Sequence, residues 1–188
     1  MRVITFSRFF PAGHPRKGEA TFFMEKIWKG LNTGNRRDGE YTVWSEGQLP
    51  HLWRDQMIDK KFTPKYHTIR AGNRWKVGDF FSPRVWAGKP YSSKQIEFAP
   101  PIQIKQTIDV VIEIDAPHYT YILVPQKKKD TYIMLPAVEV ARNDGLSFED
   151  FQNWFKPYCK TREDSFKGQI IIWGDVDYSG NVVKSIEA

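Results

Sequence analysis

Cysteine is almost missing. Cys159 stands alone in 188 residues, so there is no disulfide framework and no cysteine-based metal site. Long apolar runs are missing too. Ile170-Ile171-Ile172-Trp173 is one of the longest, and it is strand-sized against the roughly 18 residues a membrane span requires. The opening stretch Met1-Arg2-Val3-Ile4-Thr5-Phe6-Ser7-Arg8 lacks the apolar length of a secretory signal before Arg8 interrupts it. The four histidines (His14, His51, His67 and His118) show no metal-ligand spacing, which argues against zinc or any other metal. Neither a Gly-x-Gly-x-x-Gly turn nor a P-loop occurs, so no nucleotide cofactor is expected. No repeat and no low-complexity tract divides the chain. The expectation is a single domain over residues 1–188, in a reducing cytoplasmic compartment and without a membrane role.

What is present is globular in kind, with 40% hydrophobic and 27% charged residues. The formal net charge is +6, and its placement says more than its size. From Lys60 to Lys94 nine basic residues face one acid, Asp79, so this window carries +8 and the rest of the chain −2. Seven aromatics are interleaved there: Phe62, Tyr66, Trp75, Phe80, Phe81, Trp86 and Tyr91. Basic charge among aromatic rings suits a polyanion whose bases can stack, meaning RNA, single-stranded nucleic acid or a modified nucleoside. A solvated basic face over an aromatic core would leave the same pattern, because charge sign speaks to partners and not to fold.

Along the chain, residues 2–6 read as a strand, and Pro11 and Pro15 break the segment after it. Phe23, Ile27 and Leu31, with Met24 and Trp28, repeat at helical spacing, and Asn32-Thr33-Gly34-Asn35 stops that helix. Residues 32–62 are polar and glycine-bearing, an insertion expected to lie on the surface. Strands are expected at 66–70, 80–86, 102–105, 109–114, 119–124 and 131–135, with Lys127-Lys128-Lys129-Asp130 as a hairpin tip. Pro136 opens a short helix that Gly145 ends. Ser147 with Asp150 starts another, whose inward stripe is Phe148, Phe151, Trp154 and Phe155. A strand at 167–173 and a tail arm close the chain. Strands outnumber helices in an order that implies an α+β fold on a small barrel or strongly curved sheet with flanking helices.

Lys65-Tyr66-His67-Thr68-Ile69-Arg70, followed by Trp75-Lys76-Val77-Gly78-Asp79, resembles the signature region of ASCH domains, a branch of the PUA-like superfamily. The general motif is Gly-x-Lys-x-x-Glu-x-Arg. Lys65 and Arg70 stand at its Lys and Arg, Thr68 replaces the Glu, and Thr63 the Gly. The Lys-x-x-Thr-Ile-Arg form is similar to the branch containing bacterial N4-acetylcytidine amidohydrolases. Residues 141–148 and 166–173 are similar to that branch's later segments, and the whole pattern looks like ASCH-type proteins of bacteria and phages. The likeness is dense over 62–82 and 137–173, and the 32–62 insertion has no counterpart in the small amidohydrolases. The resemblance implies a PUA-like curved β-barrel, and it places the catalytic Lys, Thr and Glu of those enzymes on Lys65, Thr68 and Asp144.

Amide hydrolysis on a base needs an activated nucleophile, a base and an acid for the leaving amine. Lys65 serves as base only if burial or a neighbouring cation lowers its pKa. Arg70 shares a strand face with Thr68 and can supply that cation, or orient a carbonyl or phosphate. Lys65 and Thr68 are an odd number apart, so a regular strand puts them on opposite faces, and the trio requires Lys65 to sit in a turn before the strand beside Pro64. His67 points away from Thr68 and reads as packing or a hydrogen-bond partner. Tyr66, Trp75 and Trp86 are candidates for stacking a base, with Arg70 and Arg74 as ligand-binding cations. Three functions fit: a nucleic-acid or modified-nucleoside binding module, an amidohydrolase acting on an acylated base, and an interaction protein that presents the 32–62 insertion.

Overall fold

The computed structural model describes residues 1–31, 62–115, 119–128, 131–161, 164–178 and 185–187; the 32–61 stretch of the expected insertion lies outside them. Among the described residues, ten strands and three α-helices occur in the order β1 (Arg2–Thr5), α1 (Phe23–Leu31), β2 (His67–Ala71), β3 (Phe80–Trp86), β4 (Gln95–Glu97), β5 (Ile102–Gln103), β6 (Gln106–Asp115), β7 (Tyr119–Pro125), β8 (Thr131–Leu135), α2 (Ala137–Asn143), α3 (Phe148–Phe155), β9 (Phe166–Ile172) and β10 (Ser185–Glu187). The fold is α+β, as the element order implies.

The strands form two sheets. In the smaller, β3 pairs with β1 in parallel and with β4 and β5 antiparallel. The larger runs β10-β8-β7-β6-β9-β2 and is antiparallel throughout. Of the expected small barrel or strongly curved sheet, the barrel is not seen among the described residues, where neither sheet closes on itself. The chain passes from one sheet to the other at Ile104 and Lys105, where the Ile104 N–H donates to Asp79 and the Lys105 N–H to Ile172. On the far side, β1 and β2 are joined by a side chain and not by a ladder: Arg70 Nη2 donates to the Thr5 carbonyl at 2.9 Å.

Between the sheets lies an aromatic core. Phe6 meets Phe98 and Trp173 edge-on, Phe81 meets Trp75 and Trp173 in the same way, and all five rings are buried. Such edge-to-face pairs add about 0.5–1.5 kcal/mol each beyond area burial. Helix α1 lays Phe23, Ile27 and Trp28 against this core, and the Trp28 indole donates to the Phe98 carbonyl.

The two later helices end and begin as their residues dictate. At the end of α2, Gly145 takes φ +74°, its N–H donates to Arg142, and the Leu146 N–H donates to Ala141. This is a Schellman ending, which needs a residue free to enter the left-handed region. Ser147 then caps α3 by accepting from the Asp150 N–H at 3.0 Å. Asp144 is thereby pinned at the junction of the two helices.

Candidate functional site

Strand β2 presents two different faces. Lys65, just before it, and His67, within it, turn toward the end of α2. Lys65 is 1% exposed, and its Nζ donates to the Asp144 carbonyl at 2.6 Å and to Asp144 Oδ1 at 2.5 Å. The ammonium also lies 4.5 Å from the centre of the Phe23 ring. Lys65 thus neutralises the buried carboxylate and satisfies a carbonyl at the C-terminal end of α2, where the helix dipole favours a cation. The backbone holds both partners in place, because the Lys65 N–H donates to Lys26 and the Tyr66 N–H to Asn143.

The network extends past the ion pair. Asn143 Nδ2 donates to the Tyr178 hydroxyl at 3.1 Å, and that hydroxyl lies 2.9 Å from His67 Nε2. The Tyr178 hydroxyl thus bridges Asn143 and the His67 imidazole. Nδ1 faces Asp144 Oδ1 at 3.5 Å, an electrostatic contact whose geometry falls short of a hydrogen bond.

The ionisation of this cluster follows from its burial. Burial pulls the Lys65 pKa from its usual 10.5 to about 8, against the opposing pull of Asp144 and with the charges of Arg70 and Lys26 acting in the same direction as burial. Burial alone would raise the Asp144 pKa, but the charge of Lys65 and the nearby His67 outweigh it and hold the carboxyl below its usual range. Burial lowers the His67 pKa despite Asp144, which keeps the imidazole neutral.

The opposite face of β2 carries Thr68 and Arg70. Directly across on β9 stand Ile171 and Gln169, and across Gln169 on β6 stands Asp109, so these side chains share one surface. Gln169 holds it together by accepting from the Trp75 N–H and donating to Asp109. The Arg70 guanidinium lies 5.2 Å from the centre of the Phe6 ring, and burial lowers its pKa. Arg70 Nε, Trp75 Nε1 and Trp173 Nε1 are buried donors with no acceptor among the described residues; the two indoles pack at steep angles against Phe81 and Phe6. Thr68 is 5% exposed.

The three expected catalytic positions therefore divide. Lys65 and Asp144 are in contact, while Thr68 faces the other side of β2 with Arg70. Lys65 does precede the strand, but it shares the His67 face, so the turn beside Pro64 does not carry it round to Thr68. The expected stacking residues divide as well. Trp75 is 3% exposed and belongs to the core. Tyr66 packs on Gly174, where an added Cβ would come within 2.3 Å of its ring. Arg74 is exposed and its carbonyl accepts from Arg2.

Trp86 is different. It lines a cleft of about 470 Å³ whose walls are residues 5–11, just after β1, and the turn after β3, with Gly88, Pro90 and Tyr91. Phe9 and Tyr91 are exposed rings, and Arg8 reaches across to the carbonyl of Ala87 at 3.0 Å. Thr5 and Phe6, the contacts of Arg70, form the inner end. Phe9 and Arg8 give no signal in the sequence, because only the fold brings residues 5–11 beside residues 86–91. Tyr178 and Asn143 carry none either. No family model, no curated protein and no solved structure matches the chain. No group of histidines, cysteines and carboxylates that could hold a metal is found among the described residues, and no helix there is long and apolar enough to cross a membrane.

Proposed function

We propose that the protein binds nucleic acid or a modified nucleoside and seats one base in the cleft between residues 5–11 and 86–91. The observation that carries this is the lining: aromatic residues, Phe9, Phe10, Trp86 and Tyr91 among them, around a largely apolar space with the Arg8 guanidinium at its wall. A volume of about 470 Å³ is in the range of small-ligand sites and exceeds what one base fills. Flat rings hold a base by its π-face, and the exposed Lys89 and Lys94 on the turn beside it attract the phosphate or polymer attached to it. The resemblance of residues 62–82 and 137–173 to ASCH domains of the PUA-like superfamily is the frame of this reading, and the strand-rich α+β order supports it.

Calorimetric titration with nucleosides and their 5′-monophosphates tests it. Trp86→Ala, with the fold checked by circular dichroism, should weaken binding by about tenfold or more. Wild-type protein that binds none of them ends the reading.

A second reading is favoured by one contact. The Lys65 amine and the Asp144 carboxylate meet at 2.5 Å, and the amine's pKa of about 8 lets it serve as a base near neutrality. On this reading the protein hydrolyses the amide of an acylated cytosine, as the resembling amidohydrolases do. Thr68 then acts from across the strand. Incubation with N4-acetylcytidine, followed by chromatography, decides it: deacetylation by wild type and not by Thr68→Ala supports the enzyme, and no conversion by either removes it.

A further inference from the structure

We propose that the ligand of this cleft is a single-stranded polynucleotide and not a free nucleoside, with Tyr91 as the outer platform on which a second base stacks. The inference rests on the base-binding reading above and specifies what is attached to the base. Tyr91 is 91% exposed, so it contributes almost nothing to the core. Its backbone sits at φ +63°, in the left-handed region that a bulky side chain enters at a cost of roughly 1–2 kcal/mol. A strained, exposed aromatic residue at the mouth of a cleft is a placement that packing does not explain, and strain of this kind gathers where ligands are held.

The local structure fixes that ring. The turn after β3 is closed by the Ala87 N–H donating to Lys94 at 2.9 Å, by the Gly88 N–H donating to Ser93 Oγ at 3.0 Å, and by that hydroxyl donating to Lys89 at 2.8 Å. Within this frame the Tyr91 ring stands 5.5 Å from Trp86, tilted by 52°. Trp86 is half-buried and Tyr91 exposed, so the two rings form a step from a sheltered seat to an open one. A nucleoside has one base and needs only the inner seat. A strand has a next base, and the outer ring offers it a face.

Charge agrees with a polymer. Lys89 and Lys94 flank Tyr91 on the turn, both exposed, and neither has an acidic partner among the described residues. No acid occurs between Phe80 and Lys94. These ammonium groups lie on the turn outside the cleft, where a bound nucleoside has no charge to offer and a polynucleotide carries phosphates on either side of the seated base. A duplex is disfavoured because both rings need unstacked bases.

Fluorescence anisotropy with a labelled single strand of about seven nucleotides, competed by the matching 5′-monophosphate and by the same sequence as a duplex, separates the cases. The strand should bind at least about tenfold more tightly than the monophosphate, since one further stacked base contributes roughly 1–3 kcal/mol, and the duplex more weakly than the strand. Tyr91→Leu keeps an apolar side chain at the same backbone position but removes the ring face. It should lower strand affinity by about tenfold and monophosphate affinity by a clearly smaller factor, so that the strand's advantage over the monophosphate shrinks. If the monophosphate binds but the strand binds no better, if Tyr91→Leu leaves strand binding unchanged, or if the duplex competes as well as the strand, the polymer inference is overturned while the base seat stands. If neither monophosphate nor strand binds, the base-binding reading fails, and this inference with it.

Discussion

Lys65 is a lysine that the fold has taken out of water. Its ammonium makes hydrogen bonds only to Asp144 among the described residues and touches the Phe23 ring. A buried pair is weak evidence of net stability, yet removing one partner leaves the other charged and unsolvated. Asp144→Ala should therefore cost about 3–5 kcal/mol in urea unfolding. Adding Lys65→Met to that variant should restore much of the loss, because the orphaned charge is gone; a double variant as weak as the single one would contradict this. The same lysine sets a pH signature. The unfolded chain holds its proton up to the usual 10.5, the fold releases it near 8, and so the unfolded state binds more protons between these values. Stability must then rise with pH through that window, with the cost of burying the ammonium fully present below about 8. Tyr178, whose pKa burial raises, works in the opposite direction above about 10, where exposed tyrosines ionise. Denaturation of wild type and Lys65→Met between pH 8 and 10 should show a steeper rise in the wild type. Lys65 and Asp144 were legible only through a family resemblance, Lys65 in its signature motif and Asp144 in a separate later segment. The sequence hid Tyr178, which lies 35 positions after Asn143 and reaches the network only because the chain after β9 folds back.

Strand β2 works as a partition between a buried polar cluster and the space between the sheets, and it depends on the strand beside it. On β9, Gly168 pairs with Ala71 at the end of β2. A Cβ there would stand 2.4 Å from the Arg70 carbonyl and 2.5 Å from the Phe166 ring. Backbone cannot retreat as a flexible side chain can, so Gly168→Ala forces β2 and β9 apart. About 1–3 kcal/mol of stability should be lost, and amide exchange should quicken at Ile69 and Ala71; unchanged protection would mean that the strands absorb the methyl. The helices were readable because their ends are chemical signals: Pro136, Gly145 and Ser147 each carry one. The three-residue β4 was not readable. Gln95, Ile96 and Glu97 have no pattern long enough to mark a strand, and only pairing with Arg84, Val85 and Trp86 makes them one.

At the scale of the molecule, the two sheets meet through a chain bend on one side and a single guanidinium on the other. A small barrel or a strongly curved sheet was the expectation from many short strands. Whether edge strands pair is decided by relative placement, which local pattern does not carry. The Thr5–Phe6 end of the cleft lies next to that unladdered junction, where Arg70 donates to the Thr5 carbonyl and lies over the Phe6 ring. The turn that carries Tyr91 is charged with one sign: Lys89 and Lys94 are exposed there, and no acid occurs between Phe80 and Lys94. This asymmetry makes a prediction about binding as a whole. Affinity for a single strand should fall linearly with the logarithm of salt concentration, each neutralised phosphate contributing about −0.7 to the slope. Replacing Lys89 and Lys94 together by Gln should flatten the slope by about 1.4 if both meet phosphates. Both side chains are exposed and outside the core, so the melting temperature should not move. Trp86→Ala should do the reverse, lowering affinity at every salt concentration by a similar factor and leaving the slope alone, because stacking releases no counterions. A slope unaffected by the lysine pair would locate the phosphate path elsewhere on the basic window and separate it from Tyr91.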